Sequence, residues 1–128
     1  MASQLKLSVV IPAYNEAPNI RATLMELRPA LGEHGIPHEI IVVNDCSSDD
    51  TPEVIREFTE ADPCVRTVDR TPPGGFGRAI RTGLETVQGD VVAIYMADQS
   101  DDPQDLIACY RKIEEGYDCV FGSRFMRG

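Results

Sequence analysis

Apolar residues fall along the chain in two alternating patterns: short runs, and longer segments with a single apolar face. Leu7 to Ile11 is an apolar run stopped by Pro12, which predicts a buried strand. After a polar loop, Pro12 to Glu16, Pro18 stands where a helix begins. Ile20, Leu24, Leu27 and Leu31 then follow at the spacing of one helical face, with Gly32 and Gly35 closing it. The unit recurs. Glu39 to Val43 reads as a strand and Asn44 to Asp50 as its polar loop. Asp50 or Thr51 can cap a helix with Pro52 at its first position and Val54, Ile55, Phe58 and Ala61 on its apolar face. Val65 to Val68 predicts a shorter strand, placed toward the sheet edge because its alternation is less clean. Thr71 to Gly77 breaks regular structure and opens a helix carrying Ala79, Ile80, Gly83, Leu84 and Val87, with Arg78 and Arg81 on another face. The run from Val91 suits a strand buried on both faces, Leu106, Ile107, Tyr110 and Ile113 a fourth helix, and Cys119 to Phe121 a fifth strand entering Gly122-Ser123-Arg124.

Strands alternating with helices at this spacing predict an α/β fold, a Rossmann-like and mainly parallel sheet with right-handed crossovers and helices on both faces. No linker or repeat interrupts residues 1–128, so one domain is expected. The polar loops then share the sheet's carboxyl edge, where open α/β sheets bind ligands.

A formal charge of −9 argues against nucleic acid as the main partner, because phosphate backbones are bound by clustered Lys and Arg. A phosphorylated small molecule remains compatible if a metal or local basic group offsets the repulsion. Cys46, Cys64, Cys109 and Cys119 form no C-x-x-C pair and have no histidine nearby, which disfavours zinc and suits reduced thiols in a cytoplasmic protein. The first residues lack a secretory apolar core, and no run is long enough to cross a bilayer.

Candidate chemistry sits where apolar runs end. The run from Val91 terminates in Asp98, Asp101 and Asp102, and clustered carboxylates at a strand's carboxyl end suit Mg²⁺ or Mn²⁺ carrying phosphates. Asp102 before Pro103, with Asp105 in the first turn, also reads as an ordinary helix cap. Gly75-x-Gly77 opening a helix offers backbone N–H groups to a phosphate, yet a plain turn with Pro-Pro-Gly-Gly explains the residues as well. Asp45 beside Asn44 can accept hydrogen bonds from a ribose or base, and turn chemistry competes there and at Asn15 and Glu16. His34 and His38 read as surface residues at the opposite edge.

The ordered series Val9 to Glu16, Ile41 to Asp49, Gly77 to Leu84, the Asp98 region and Gly122-Ser123-Arg124 resembles family 2 glycosyltransferases, in particular the dolichol-phosphate mannosyltransferase and polyprenyl-phosphate glycosyltransferase branch. The resemblance covers essentially the whole chain and implies a GT-A fold, a nucleotide-diphosphate sugar donor, a divalent metal and hexosyl transfer. It implies that Pro12, Tyr14 and Glu16 lie against base and ribose, that Asp45 contacts the nucleoside and that Gly77 faces the diphosphate. Asp98 falls in the metal and phosphate region, and Arg124 helps bind the acceptor phosphate.

Two departures stand out. With Pro103 as anchor, the family's Asp-x-Asp triplet falls on Ala97 and Gln99, leaving Asp98 between them, so the metal set is either shifted to Asp98 with Asp101 or Asp102, or weak. Cys46 stands where the family commonly has Gly, which matters if that position needs positive φ. The chain is also shorter than its family and reads as a truncated, donor-binding part that can lack turnover. The mechanism expected is inverting transfer, with Asp98 and Asp102 as catalytic candidates. A polyprenyl phosphate acceptor, met at a membrane face, needs no strong base, whereas a sugar hydroxyl would leave Asp102 as the local candidate. The alternatives are a non-catalytic nucleotide- or nucleotide-sugar-binding module and a transferase acting on a saccharide.

Overall fold

The computed structural model of the protein describes residues 5–116. In chain order they form β1 (Leu7–Ala13), α1 (Ala17–Glu33), β2 (His38–Asp45), α2 (Thr51–Ala61), β3 (Val65–Arg70), α3 (Phe76–Leu84), β4 (Val91–Ile94) and α4 (Pro103–Glu114). The strands make one parallel sheet in the order β3-β2-β1-β4. The fifth strand expected from Cys119 to Phe121 lies outside the described residues.

The sheet is doubly wound. Ile20, Leu24, Leu27 and Leu31 of α1 are fully buried, and with Val54, Ile55 and Phe58 of α2 and Leu106, Ile107 and Tyr110 of α4 they cover Val9, Ile11, Ile40 and Val42 on one face. Each such side chain contributes about 1.5–3 kcal/mol relative to exposure. On the other face α3 covers Val10, Ile41 and Val43 with Ala79. The chain steps outward from β1 to β2 to β3 with helices on one face. It then crosses back over the opposite face to reach β4 beside β1, as right-handed crossovers require.

Several strand limits differ from the sequence reading. β1 runs through Pro12, which pairs in register with Val43. The opposite neighbour β4 ends at Ile94, paired with Val10, so no strand on that side requires a donor from Pro12. β2 and β3 extend through Asn44↔Asp69 and Asp45↔Arg70, polar pairs that apolar periodicity cannot register. Among the described strands β3 does lie at an edge. β4 departs from the expectation of burial on both faces, since Val92 is 42% exposed. The described sheet ends at β4, and α3 packs over β1, β2 and β3 instead. Cys46 and Cys64 are free, whereas Cys109 is disulfide-bonded, which corrects the expectation of a reduced thiol there.

At the amino edge, buried Glu39 accepts from the Ser8 hydroxyl, the Gln88 N–H at 2.6 Å and Arg66 Nη2 at 2.7 Å. Burial pushes its carboxyl up, but these donors together outweigh that and hold it below the ordinary glutamate range. This edge is therefore fastened by polar bonds, leaving the carboxyl edge open for a ligand.

Candidate functional site

A cleft of about 620 Å³ opens at the carboxyl edge, between the ends of β1 and β2, the segment after β4 and the start of α3. Pro12, Tyr14, Glu16, Asp45, Phe76 and Met96 are among the residues lining it. The strand order reverses at β1, so the cleft occupies the topological switch point, the position open α/β sheets use for ligands.

Asp45 forms the buried wall. Its side chain is 7% exposed, Oδ1 lies 2.6 Å from Arg70 Nη1, and Oδ2 accepts the Gly75 N–H at 2.8 Å. Arg70 also donates from Nε to Thr82 Oγ1 at 3.0 Å and from Nη1 to the Pro73 carbonyl at 3.2 Å. Strand β3, helix α3, the 71–75 loop and the end of β2 thus meet at one guanidinium. The sequence reading missed Arg70 because it ended the strand at Val68; the opposite-charge pair two residues further on was the available signal. Cys46 has φ 62°, so the position where the family commonly has Gly does adopt the left-handed region, at a cost of about 1–2 kcal/mol for a non-glycine residue. Its thiol donates to the Arg70 carbonyl at 3.3 Å.

The rim is built from two loops tied together. Asn15, at φ 51°, donates its N–H to Ser47 Oγ and accepts the Ser48 N–H at 2.8 Å, while the Glu16 N–H donates to Thr51 Oγ1. Asp49 accepts from the Thr51 N–H and hydroxyl and from the Ala17 N–H. Burial pushes the Asp49 carboxyl up, but these bonds hold it below its ordinary value. The side chain of Asn15 therefore serves the loop. Tyr14, 60% exposed, presents a ring at the cleft. Phe76, 51% exposed, lines it as well. Gly77 lies in the first turn of α3 but not in the lining, where Gly74 and Gly75 stand instead. Arg78 and Arg81 are exposed on α3.

The acidic segment after β4 is internally bonded. Asp98 Oδ1 accepts the Ser100 N–H at 3.0 Å, Asp101 Oδ2 the Met96 N–H at 2.9 Å and Asp102 Oδ1 the Gln104 N–H at 2.9 Å. Asp102 is thus the N-cap of α4. The Tyr95 hydroxyl donates to the Asp101 carbonyl, and burial, aided by surrounding carboxylates, pushes its pKa strongly up. Tyr95 and Ala97 point into the core and Met96 into the cleft. This corrects the frame that put the family's aspartates on Ala97 and Gln99. Ala97 is 2% exposed and packed against α1, so a carboxylate there would be buried; Met96 is the residue of this segment that lines the cleft, and Asp98, two residues on, is exposed and not among the lining residues. Among the described residues no three His, Cys, Asp or Glu side chains are grouped to hold a metal. The carboxylates of Asp98 and Asp101 are of the chemical type a hard divalent ion such as Mg²⁺ takes, one or two at a time, with substrate phosphates and water completing its shell. Arg124 lies outside the described residues.

The family described as glycosyl transferase family 2 matches residues 8–128 of the chain. The chain is 34% identical over 124 residues to the dolichol-phosphate mannosyltransferase of Pyrococcus furiosus, covering 97% of this chain and 34% of that protein. It is 36% identical over 116 residues to the undecaprenyl-phosphate 4-deoxy-4-formamido-L-arabinose transferase of Serratia proteamaculans, covering 90% of this chain and 36% of that protein. A mannosyltransferase from Pyrobaculum calidifontis, solved in complex with GDP-Man and Mn²⁺, superposes with a TM-score of 0.69 at 27% identity, over 91% of this chain and 33% of that one. The chain therefore spans about a third of the length of these relatives, and no described helix is long and apolar enough to cross a membrane.

Proposed function

The chain belongs to glycosyl transferase family 2, with the GT-A type of α/β fold, and from that premise we propose that residues 1–128 bind a nucleotide-diphosphate sugar for transfer to a polyprenyl phosphate, with inversion. The observation that carries this reading is the switch-point cleft, where an exposed aromatic ring and a buried carboxylate flank a glycine-bearing loop at the start of a helix. Tyr14 offers a stacking face to the base, with Pro12 and Glu16 beside it. Asp45, an acceptor without donors, takes hydrogen bonds from the nucleoside. The N–H groups opening α3, near Gly77, face the diphosphate, as helix N-termini suit anions. Asp98, with Asp101 beside it, would hold Mg²⁺ or Mn²⁺ together with the diphosphate oxygens, and the ion would neutralise charge on the leaving nucleoside diphosphate.

The acceptor oxygen attacks the anomeric carbon opposite the leaving group, and the bond to the diphosphate breaks. A polyprenyl phosphate oxygen is already anionic and needs no base. Arg124 is assigned to hold that phosphate at a membrane face. Were the acceptor a sugar hydroxyl, Asp102 would be the nearby carboxylate to take its proton. The relatives named for dolichol-phosphate and undecaprenyl-phosphate chemistry favour the phosphate acceptor.

Calorimetric titration with GDP- and UDP-sugars, with and without Mn²⁺, tests the reading. Saturable binding of at least one donor is expected, and failure of every nucleotide would overturn it. A second reading, a nucleotide-binding module without transfer, draws support from the thioether of Met96 lining the cleft where a carboxylate would hold a metal. Product formation from radiolabelled donor and polyprenyl phosphate separates the two.

A further inference from the structure

We propose that Arg70 is a positioning residue for nucleoside recognition: it fixes Asp45 and the 71–75 strap in the shape that receives the nucleoside, without touching the ligand's phosphates. The inference rests on the cleft being a nucleotide site. Its basis is geometric. Arg70 is the last residue of β3 and pairs across the sheet with Asp45, the last residue of β2. Its side chain is 15% exposed, and Nη1 reaches Asp45 Oδ1 at 2.6 Å and the Pro73 carbonyl at 3.2 Å while Nε holds Thr82.

Two consequences follow from this arrangement. The guanidinium is anchored through Nε and Nη1 to a hydroxyl, a carbonyl and the Asp45 carboxylate, so its influence on the ligand passes through Asp45. The other Asp45 oxygen is held by the N–H of Gly75, whose φ of 149° suits glycine. Each carboxylate oxygen has two acceptor directions, so one on each remains for the N–H or O–H of a nucleoside once Arg70 and Gly75 have taken theirs. Without the guanidinium, Asp45 is a buried charge held chiefly by the Gly75 N–H, and the strap loses its tie at Pro73. Lysine cannot replace it, because an ammonium on a flexible stem does not span three acceptors in a fixed plane.

Comparing UDP, GDP and inorganic pyrophosphate binding by calorimetry tests the proposal, using the wild-type chain, Arg70→Lys, Asp45→Asn and the double variant. Arg70→Lys is expected to weaken the tighter nucleoside diphosphate by about tenfold or more and pyrophosphate by less than about twofold. In the Asp45→Asn background the same change is expected to cost less than about twofold, since its effect acts through that carboxylate. Hydrogen exchange of the Gly75 amide is expected to accelerate in Arg70→Lys while Val42 stays protected, which shows that the variant is folded. Unchanged nucleotide affinity, equal loss of pyrophosphate, or full additivity in the double variant would overturn the positioning role and leave the nucleotide reading standing. Wild-type chain that binds no nucleoside diphosphate would overturn both.

Discussion

Substituting Gly83 with alanine sets two effects of opposite sign against each other. Within a helix, alanine is favoured over glycine by about 1 kcal/mol. A Cβ at Gly83, however, would stand 2.4 Å from Val10 Cγ1 and 3.1 Å from Val43 Cγ2. Carbon atoms settle about 3.5–4.0 Å apart, so relief requires movement of more than about an ångström at the first contact. Both valines are fully buried on central strands and stiff at χ1, and neither can swing aside. Overpacking of this kind costs about 1–3 kcal/mol, and the closeness of the approach places Gly83 at the upper end. The net expectation is a loss of about 2 kcal/mol, since propensity offsets only part of the clash. The chain has no tryptophan, so urea unfolding is best followed by circular dichroism. With a slope of about 1–3 kcal/mol per molar, the midpoint should fall by about 1 M. Gly32→Ala in α1 is the control, because nothing lies within 4 Å of its Cβ position; it should be neutral or stabilising by up to about 1 kcal/mol. A Gly83→Ala midpoint equal to or above wild type would refute the close seating of α3 on β1 and β2.

Glu39 gives a pH dependence. Its folded pKa lies below the ordinary value of 4.5, so its stabilisation is present above that pH and is lost as pH falls through the folded pKa; the urea midpoint should drop from pH 6 to pH 3, and by less in Glu39→Gln. Tyr14→Ala removes an exposed ring, so thermal unfolding should be nearly unchanged, while nucleotide affinity by calorimetry falls about tenfold or more, as stacking of about 1–3 kcal/mol implies. Asp102→Ala should cost about 1 kcal/mol of stability and Asp102→Asn much less, because asparagine also caps. Transfer to a polyprenyl phosphate that survives Asp102→Asn fits the cap role, and a large loss with stability intact would assign Asp102 to the chemistry.

The fold was legible where burial is one-sided or periodic. Ile20, Leu24, Leu27 and Leu31 announce α1, and all four are fully buried. Pro18, Pro52 and Pro103 each lie in the first turn of a helix, where a missing N–H costs nothing. Strand ends were less legible, because Asn44, Asp45, Asp69 and Arg70 continue their strands by pairing with one another. A pattern built on apolar residues stops where such polar pairing begins. The exposure of Val92 escaped for a related reason, since an apolar run does not reveal what covers each face.

The acidic segment shows where linear spacing misleads. Counting back from Pro103 placed the motif frame on Ala97 and Gln99, but counting cannot tell which residues face the ligand. The structure answers through packing: Tyr95 and Ala97 belong to the core under α1 and α4, and Thr23 Oγ1 donates to the Ala97 carbonyl at 2.8 Å. Met96 is thereby turned to the cleft and Asp98 follows as the next exposed position. The same packing spends Asp101 on the Met96 N–H and Asp102 on the start of α4. The three carboxylates thus occupy three different environments, with Asp102 in the cap role its place before Pro103 predicts. On the proposed reading a cation is held at Asp98, and its hold would depend on the diphosphate that arrives with it. Binding of Mn²⁺ should therefore strengthen when a nucleoside diphosphate is present, and equal Mn²⁺ affinity with and without the nucleotide would contradict that dependence.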